Sequence, residues 1–181
     1  TIVCDDSDLR SFPNINEWND LIDISRGVGV IIGLKKNGTV VATHGDFSPW
    51  LNNSELDAAC RVKDWKNIIA IEAGDRFTVG LKRDGTVVAV GINDNKQCNV
   101  SDWRDIVAIT IVNHATVGLK KDGTLITTDA SFPINDVKDI VAINGCRTHL
   151  VCLKSDGTLT VINNNYKEYG QSNVSSWKNI G

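Results

Sequence analysis

Residues 65–91 read WKNIIAIEAGDRFTVGLKRDGTVVAVG, and this stretch decides the fold because it recurs along the chain. It aligns without gaps with residues 18–44 (WNDLIDISRGVGVIIGLKKNGTVVATH), 103–129 (WRDIVAITIVNHATVGLKKDGTLITTD) and 137–163 (VKDIVAINGCRTHLVCLKSDGTLTVIN). A fifth copy begins at Trp177. Repeats of about 40 residues predict a fold made of similar stacked units.

Each repeat predicts three antiparallel strands, at residues 65–73, 78–82 and 86–90 in the second copy. Asp84-Gly85 separates the last two, and Asn37-Gly38, Asp122-Gly123 and Asp156-Gly157 hold the same place elsewhere. Asp-Gly and Asn-Gly between β-rich runs are strong hairpin signals. We expect a short fourth strand near residues 97–100, and residues 53–60 are the helical candidate.

A unit of three or four strands cannot bury both of its faces alone, so it must stack on copies of itself. The sequence predicts an all-β fold, a β-propeller of antiparallel blades. Full repeats are expected at residues 18–64, 65–102, 103–136 and 137–176, with partial repeats at 1–17 and 177–181. A β-solenoid is the alternative, but it favours shorter coils and parallel strands without a glycine hairpin.

Composition limits the partners and the chemistry. The formal charge of the 181 residues is −3, which argues against a sequence-independent grip on nucleic acid. The sequence contains no run of 18 apolar residues, so it predicts no membrane span. The five cysteines have no zinc-site spacing, and their odd number favours reduced structural thiols and, slightly, the cytoplasm over secretion. We therefore expect no metal, no cofactor and no enzyme activity.

The repeat resembles that of the regulator of chromosome condensation family. The residues that carry the resemblance are D-I-V-A-I, the A-G-x-x-[HF]-T-V-G-L-K-x-D-G-T run and N-x-x-Q-C-N-V, with residues 65–103 as the best match. The resemblance implies a propeller, usually of seven four-stranded blades, with compact repeats similar to those of bacterial members. Small residues in its A-G element let blades approach near the axis; this element is intact only at residues 73–78.

About four and a half repeats fall short of seven. Three explanations stay open: the sequence is a fragment of a longer propeller, another chain completes the ring, or a small ring closes alone. The absence of methionine agrees with a processed or trimmed chain. Each explanation predicts a different way of covering the exposed edges that an open propeller leaves.

Two groups of residues are candidates for binding a protein. The first lies in an insertion at residues 44–63, because loops carry function and tryptophan is enriched at binding hot spots. The second lies on turns before the second strand of each repeat, which a propeller places on one rim. The candidates are Phe47, Trp50 and Leu51 in the insertion, and Arg26, Arg76, His114 and Arg147 on the rim.

These features predict a non-enzymatic scaffold that binds another protein through one rim and the 44–63 insertion. The alternative is a regulator of an enzyme: an inhibitor of a secreted enzyme, or a guanine-nucleotide exchange factor for a small GTPase. The exchange activity is the weaker alternative, because no long hairpin wedge or acidic insertion is present. The repeated tryptophans, the lysines before each hairpin turn and the cysteines are interpreted as structural.

Overall fold

The computed structural model describes residue 12, residues 14–45, residues 53–163 and residue 174 of the chain. These residues form twelve strands, one α-helix and one short 3₁₀ helix. The 3₁₀ helix is Ile15–Glu17 and the α-helix, α1, is Asn53–Ala59. The strands are β1 (Leu21–Arg26), β2 (Val30–Lys35), β3 (Val40–His44), β4 (Ile68–Ala73), β5 (Phe77–Lys82), β6 (Val87–Gly91), β7 (Ile106–Val112), β8 (Ala115–Lys120), β9 (Leu125–Thr127), β10 (Ile140–Gly145), β11 (His149–Lys154) and β12 (Leu159–Asn163).

The strands form four antiparallel sheets of three consecutive strands each, which are the blades of a propeller. The first strand of each sheet lies beside the first strand of the next, so β1, β4, β7 and β10 run side by side. The middle strand of each sheet also packs on the first strand of the following sheet, as β2 does on β4. The described sheets form an open arc, an incomplete propeller rather than a closed ring.

The aspartate or asparagine just before the first strand of each blade has a backbone role. Residues 20, 67, 105 and 139 all adopt left-handed conformations with φ between 55° and 61°. Asn and Asp tolerate this region better than other non-glycine residues. The carbonyl group of Asn67 accepts a 2.9 Å bond from the Arg83 amide, which ties the start of β4 to the β5–β6 hairpin. The repeated W-x-[DN] pattern therefore fixes how the inner strand enters its blade.

The glycine of the hairpin turn joins one blade to the next at the three described interfaces between blades. Gly85 has a φ of +79°, and its carbonyl oxygen accepts a 3.0 Å bond from the amide of Ile106 in the next blade. A Cβ atom there would lie 3.3 Å from the Ile106 nitrogen. Gly38 and Gly123 make the same bond to Ile68 and Ile140. A side chain at these positions would strain both the turn and the blade interface.

The residue before each of these glycines accepts two hydrogen bonds from the threonine after it. The amide and hydroxyl of Thr86 donate to Asp84 Oδ1 at 3.0 and 2.6 Å, and these bonds hold the pKa of Asp84 below its ordinary value of 3.8. The pKa values of Asp122 and Asp156 are lowered by the same bonds from Thr124 and Thr158. Ionisation of these aspartates therefore stabilises the folded state.

Replacement of Asp84, Asp122 and Asp156 by asparagine is expected to flatten the dependence of stability on pH in acid. A lowered pKa in the folded state stabilises the protein above the unfolded value of about 3.8, and this contribution is lost as pH falls through the folded pKa. Asparagine does not titrate, and Asn37 already accepts the same two bonds at 3.0 and 2.7 Å. Urea unfolding between pH 2 and 6 measures the effect. An unchanged slope in the triple variant would contradict it.

The core lies between the blades, in three clusters of buried apolar residues. The first joins β2 to β4 and α1, the second joins β5 to β7, and the third joins β8 to β10 and β11. Trp65 and Trp103 are only 8% and 5% exposed and lie within the first two clusters. Each cluster contains residues of two successive repeats. A repeat therefore does not form a separate core of its own, and the predicted repeat boundaries stay a prediction.

Space for these tryptophans comes from a glycine in the middle strand of the same blade. A Cβ atom on Gly80 would lie 2.7 Å from the Trp65 ring, and one on Gly118 would lie 2.9 Å from the Trp103 ring. Gly33 bears the same relation to Trp18, at 3.1 Å. The tryptophan at the start of the repeat and the glycine of G-L-K are therefore one packing unit.

The expected fourth strand near residues 97–100 is wrong. Residues 97–100 form turns, in which the Asn99 amide donates to Lys96 O and the Val100 amide donates to Cys98 O, each at 2.9 Å. Asn93 Oδ1 also accepts the Cys98 amide at 2.9 Å. These local bonds compete with a strand ladder for the same backbone groups. The described blades consequently have three strands rather than the four that the family resemblance implies.

The expected helix in the insertion is confirmed as α1. Leu56 and Ala59 on this helix are buried in the cluster that joins the first two blades. The helix packs on β5 and β6. Across the stretches that the structure describes, no helix has the length and apolar character needed to cross a membrane.

Candidate functional site

Four tight turns meet at one rim of the arc, where the first strand of each blade turns back into the second. In three of them a backbone bond closes the turn: the amides of Gly27, Gly74 and Cys146 donate to the residues three positions later at 2.9–3.0 Å. The turns and adjoining strand ends surround a concavity of about 700 Å³. Its lining is formed by Arg26, Gly27, Val28, Gly29, Glu72, Ala73, Gly74, Asp75, Ile111, Asn113, Gly145, Cys146 and Arg147. All four described blades contribute to it.

Glycines near the axis let neighbouring blades touch by their backbones at this rim. A Cβ atom on Gly27 would lie only 1.7 Å from the carbonyl oxygen of Gly74 in the next blade. One on Gly145 would lie 2.4 Å from the carbonyl oxygen of Ile111. Gly145 stands one position earlier in its repeat than Gly27 does, so the fourth repeat achieves close approach with a shifted glycine.

Hydroxyl groups bridge the blades beside these contacts. Ser25 Oγ accepts the amide of Ala73 at 2.9 Å and lies 3.3 Å from Oε2 of Glu72, to which its hydroxyl donates. Thr110 Oγ1 accepts the amide of Gly145 at 2.8 Å in the same way. Burial raises the pKa of Glu72, the Ser25 bond opposes this shift, and the charge of Asp23 adds to it. Hydrogen bonds at this rim thus connect the first blade to the second and the third blade to the fourth.

The predicted rim residues divide into three environments. Arg26 and Arg147 are exposed and line the concavity, on its first and fourth blades. Arg76 instead forms an ion pair with Glu55 of α1, with Nη1 3.5 Å from Oε1. His114 lines a neighbouring concavity of about 300 Å³ together with Lys96.

The predicted insertion residues Phe47, Trp50 and Leu51 lie outside the described residues. Two side-chain contacts hold the helix of the insertion against the blades. His44 Nε2 lies 3.0 Å from Asp57 Oδ1, and Arg76 pairs with Glu55 on the same helix.

Residues 68–97 match the family model of the regulator of chromosome condensation (RCC1) repeat. One repeat of this chain is therefore similar to the RCC1 repeat. A search of curated protein sequences gives no match.

Solved structures of RCC1 proteins share the fold. Yeast RCC1 (Prp20) bound to Kap60 superposes with a TM-score of 0.60 at 17% identity, over 84% of this chain and 44% of that one. Prp20p from Saccharomyces cerevisiae, in a structure described with its binding to Gsp1p and histones, gives 0.59 at 16% identity, over 82% and 46%.

A plant receptor is similar as well. The CRINKLY WD40 ectodomain of the Arabidopsis thaliana receptor kinase ACR4 gives a TM-score of 0.60 at 16% identity, over 81% of this chain and 52% of that one. The chain therefore spans about half the length of these neighbours. The likeness establishes an RCC1-like propeller fold.

One pair of functional groups in the fourth repeat was not predicted from the sequence. Cys146 Sγ lies 3.2 Å from Nδ1 of His149, across the turn that follows β10. Thr148 Oγ1 lies 3.0 Å from the same nitrogen. The signal that could have found this pair is Cys-x-x-His spanning a predicted two-residue turn, a spacing that places both side chains at the base of one hairpin.

The other described thiols are in different surroundings. Burial raises the pKa of Cys60 to about 11, with a further contribution from the charge of Asp57. Burial also raises the pKa of Cys98 to about 11 and that of Cys152 to about 12. No group of three or more potential metal ligands occurs among residues 14–45 and 53–163 or at the two isolated described positions.

Proposed function

We propose that this chain is a non-enzymatic propeller scaffold that binds another protein through the rim with the concavity and through the 44–63 insertion. The observation that carries the proposal is the concavity of about 700 Å³, to which all four described blades contribute. Arg26 and Arg147 are exposed there, whereas Glu72 and Asp75 are half-buried. This surface therefore offers two accessible guanidinium groups, which are well suited to bidentate bonds with carboxylates.

We propose that the insertion extends the same surface. His44 ends β3 and pairs with Val30, the first residue after the rim turn of its blade. Arg76, which holds α1 through Glu55, directly follows Asp75 in the wall of the concavity. The chain therefore enters the insertion at this rim, and α1 is tied to it. Phe47, Trp50 and Leu51 are proposed to extend the binding surface from there.

Pre-organisation supports a binding role. The Ser25 and Thr110 bridges and the Gly27–Gly74 backbone contact fix the walls of the concavity before any partner arrives. A surface that is already ordered loses little conformational entropy on binding. The similar fold of yeast RCC1 bound to Kap60 supports the same use of such a scaffold.

Photo-crosslinking identifies the partner and tests the surface together. A photoreactive amino acid at Val28, an exposed residue of the concavity, is expected to give one specific adduct in cells that produce the protein. The same group at Lys121, an exposed residue in a hairpin turn at the opposite rim, is the matched control. An adduct formed from Lys121 but not from Val28 would contradict the proposed surface.

Charge reversal of Arg26 and Arg147 to glutamate is expected to weaken binding of the identified partner by about tenfold to one hundredfold, or about 1.4–2.8 kcal/mol. Both side chains are exposed, so the fold should remain intact. The control is reversal of two exposed cations at the opposite rim, Arg83 and Lys121. Isothermal titration calorimetry measures both pairs, and equal losses would refute the rim. If the partner is an enzyme whose turnover falls on binding, the role is that of a regulator.

A further inference from the structure

Cys146 and His149 form a thiol–imidazole pair on the rim turn of the fourth blade, between β10 and β11. The turn between them is closed by a 3.0 Å bond from the Cys146 amide to the His149 carbonyl group, which holds the two side chains on the same side of the hairpin. The sulfur lies 3.2 Å from Nδ1 and 3.5 Å from Nε2 of the ring. Cys146 is exposed, and it lines the concavity.

A nearby imidazole makes a thiol a better nucleophile by accepting its proton. The other described thiols lack this arrangement. Cys152 is fully buried, and the Cys98 thiol donates to the carbonyl oxygen of Ile92 at 3.4 Å. Cys60 is half-buried beside the charge of Asp57, which disfavours a thiolate. Cys146 therefore combines exposure, a base and an open cavity, whereas these three thiols do not.

The charged groups around the cavity select among reagents. Arg147 is next to Cys146 in the turn, and Arg26 faces the same space from the first blade. Both are exposed, while the carboxylates of the cavity, Glu72 and Asp75, are half-buried. The accessible charge next to the thiol is therefore positive, which favours a molecule that carries carboxylates.

We propose that Cys146 is a covalent modification site that forms mixed disulfides with small, carboxylate-bearing disulfides. His149 accepts the thiol proton, and the sulfur of Cys146 attacks one sulfur of the reagent. The S–S bond of the reagent breaks as the new one forms, and the departing thiolate takes up a proton to leave as a thiol. Cys146 and one half of the reagent share the new disulfide, and the other half is reduced.

The test uses the full chain with Cys4 replaced by serine, because Cys4 lies outside the described residues. The protein is exposed to oxidised glutathione, an acidic disulfide, or to cystamine, a basic one, and adducts are located by peptide mass spectrometry. We expect Cys146 to react at least about tenfold faster than Cys60, Cys98 and Cys152. Cys146→Ser should abolish the fast phase, and because this side chain is exposed the variant should keep its fold.

Two further variants test the proposed roles of the neighbours. His149→Gln is expected to slow the reaction at pH 7, because the thiol then lacks the nearby imidazole that accepts its proton. Lys121→Gln, on an exposed turn at the opposite rim, should leave the rate unchanged. If His149→Gln does not fold, the ratio of the oxidised glutathione and cystamine rates in Arg147→Gln, on an exposed residue, provides the second readout. This variant should lose the preference for oxidised glutathione.

Each remaining outcome overturns part of the proposal. Equal rates at the four described thiols would eliminate Cys146 as a special site. Equal rates with the acidic and basic reagents at Cys146 would overturn the assigned class of reagent. An unchanged rate in folded His149→Gln at pH 7 would show that the imidazole does not act as the base.

Discussion

Replacement of Trp103 by alanine is expected to lower the free energy of unfolding by about 3–5 kcal/mol, the range observed for large aromatic residues removed from cores. Trp103 is only 5% exposed and lies in the cluster that joins the second blade to the third. Its ring fills the space over Gly118, where the middle strand has no side chain. Alanine would leave a cavity at a blade interface, which the backbone bond between Gly85 and Ile106 prevents from collapsing freely.

The matched control is Trp18→Ala, at the same position of the first repeat. Trp18 packs over Gly33 in the same way but is only half-buried. A smaller loss is expected there, because less apolar surface returns to water. Chemical denaturation followed by circular dichroism compares the two variants. Equal losses, or a loss below about 1 kcal/mol for Trp103→Ala, would show that the interface does not depend on this ring.

The features that the sequence predicted well are those that depend on local chemistry. Asp84-Gly85 predicts its hairpin because the turn needs a glycine with positive φ and gains from an aspartate that accepts the Thr86 bonds. The helix in the insertion follows from a short run of helix-forming residues whose apolar members, Leu56 and Ala59, find a buried surface. Such rules act within a few residues and can be applied without the fold.

The features that the sequence missed depend on competition or on neighbours in space. A strand was expected at residues 97–100, but the Asn93 side chain accepts a hydrogen bond from the Cys98 amide, and no pattern of apolar residues predicts this bond. The ion pair of Arg76 with Glu55 joins the rim of the second repeat to the insertion of the first. Arg76 and Arg26 were predicted to lie on one rim, but of these two only Arg26 lines the concavity. Side-chain contacts of this kind can be identified only when the packing of the blades is known.

Two of the departures of the fourth repeat from the other three are related by the structure. Where the other repeats have tryptophan and glycine, this repeat has Val137 and Cys152. Cys152 is fully buried, and Val137 packs against the same cluster. At Gly80 and Gly118 a Cβ atom on the middle strand would meet the tryptophan ring, so a cysteine at this position does not fit with a tryptophan at the start of the repeat. Valine and cysteine together thus replace tryptophan and glycine as a packing unit.

Val137→Trp is therefore expected to destabilise the protein toward the upper end of the about 1–3 kcal/mol typical of overpacking. Cys152→Gly alone is also expected to destabilise it, since it removes a buried side chain and places glycine within a strand. The double variant restores the pair found in the first three repeats. It should be more stable than the sum of the single effects implies, by a coupling of about 0.5–3 kcal/mol.

Cys152→Ala provides the control for the double variant, because alanine keeps a Cβ atom in the path of the ring. The 2.7 Å distance at Gly80 indicates that a Cβ atom at this position excludes the tryptophan ring. Val137→Trp combined with Cys152→Ala should therefore recover less stability than Val137→Trp combined with Cys152→Gly. Urea denaturation of the single and double variants measures both couplings. Strictly additive losses would mean that the two positions vary independently. A positive coupling confined to the glycine variant would establish that a blade is specified by pairs of residues across its sheet.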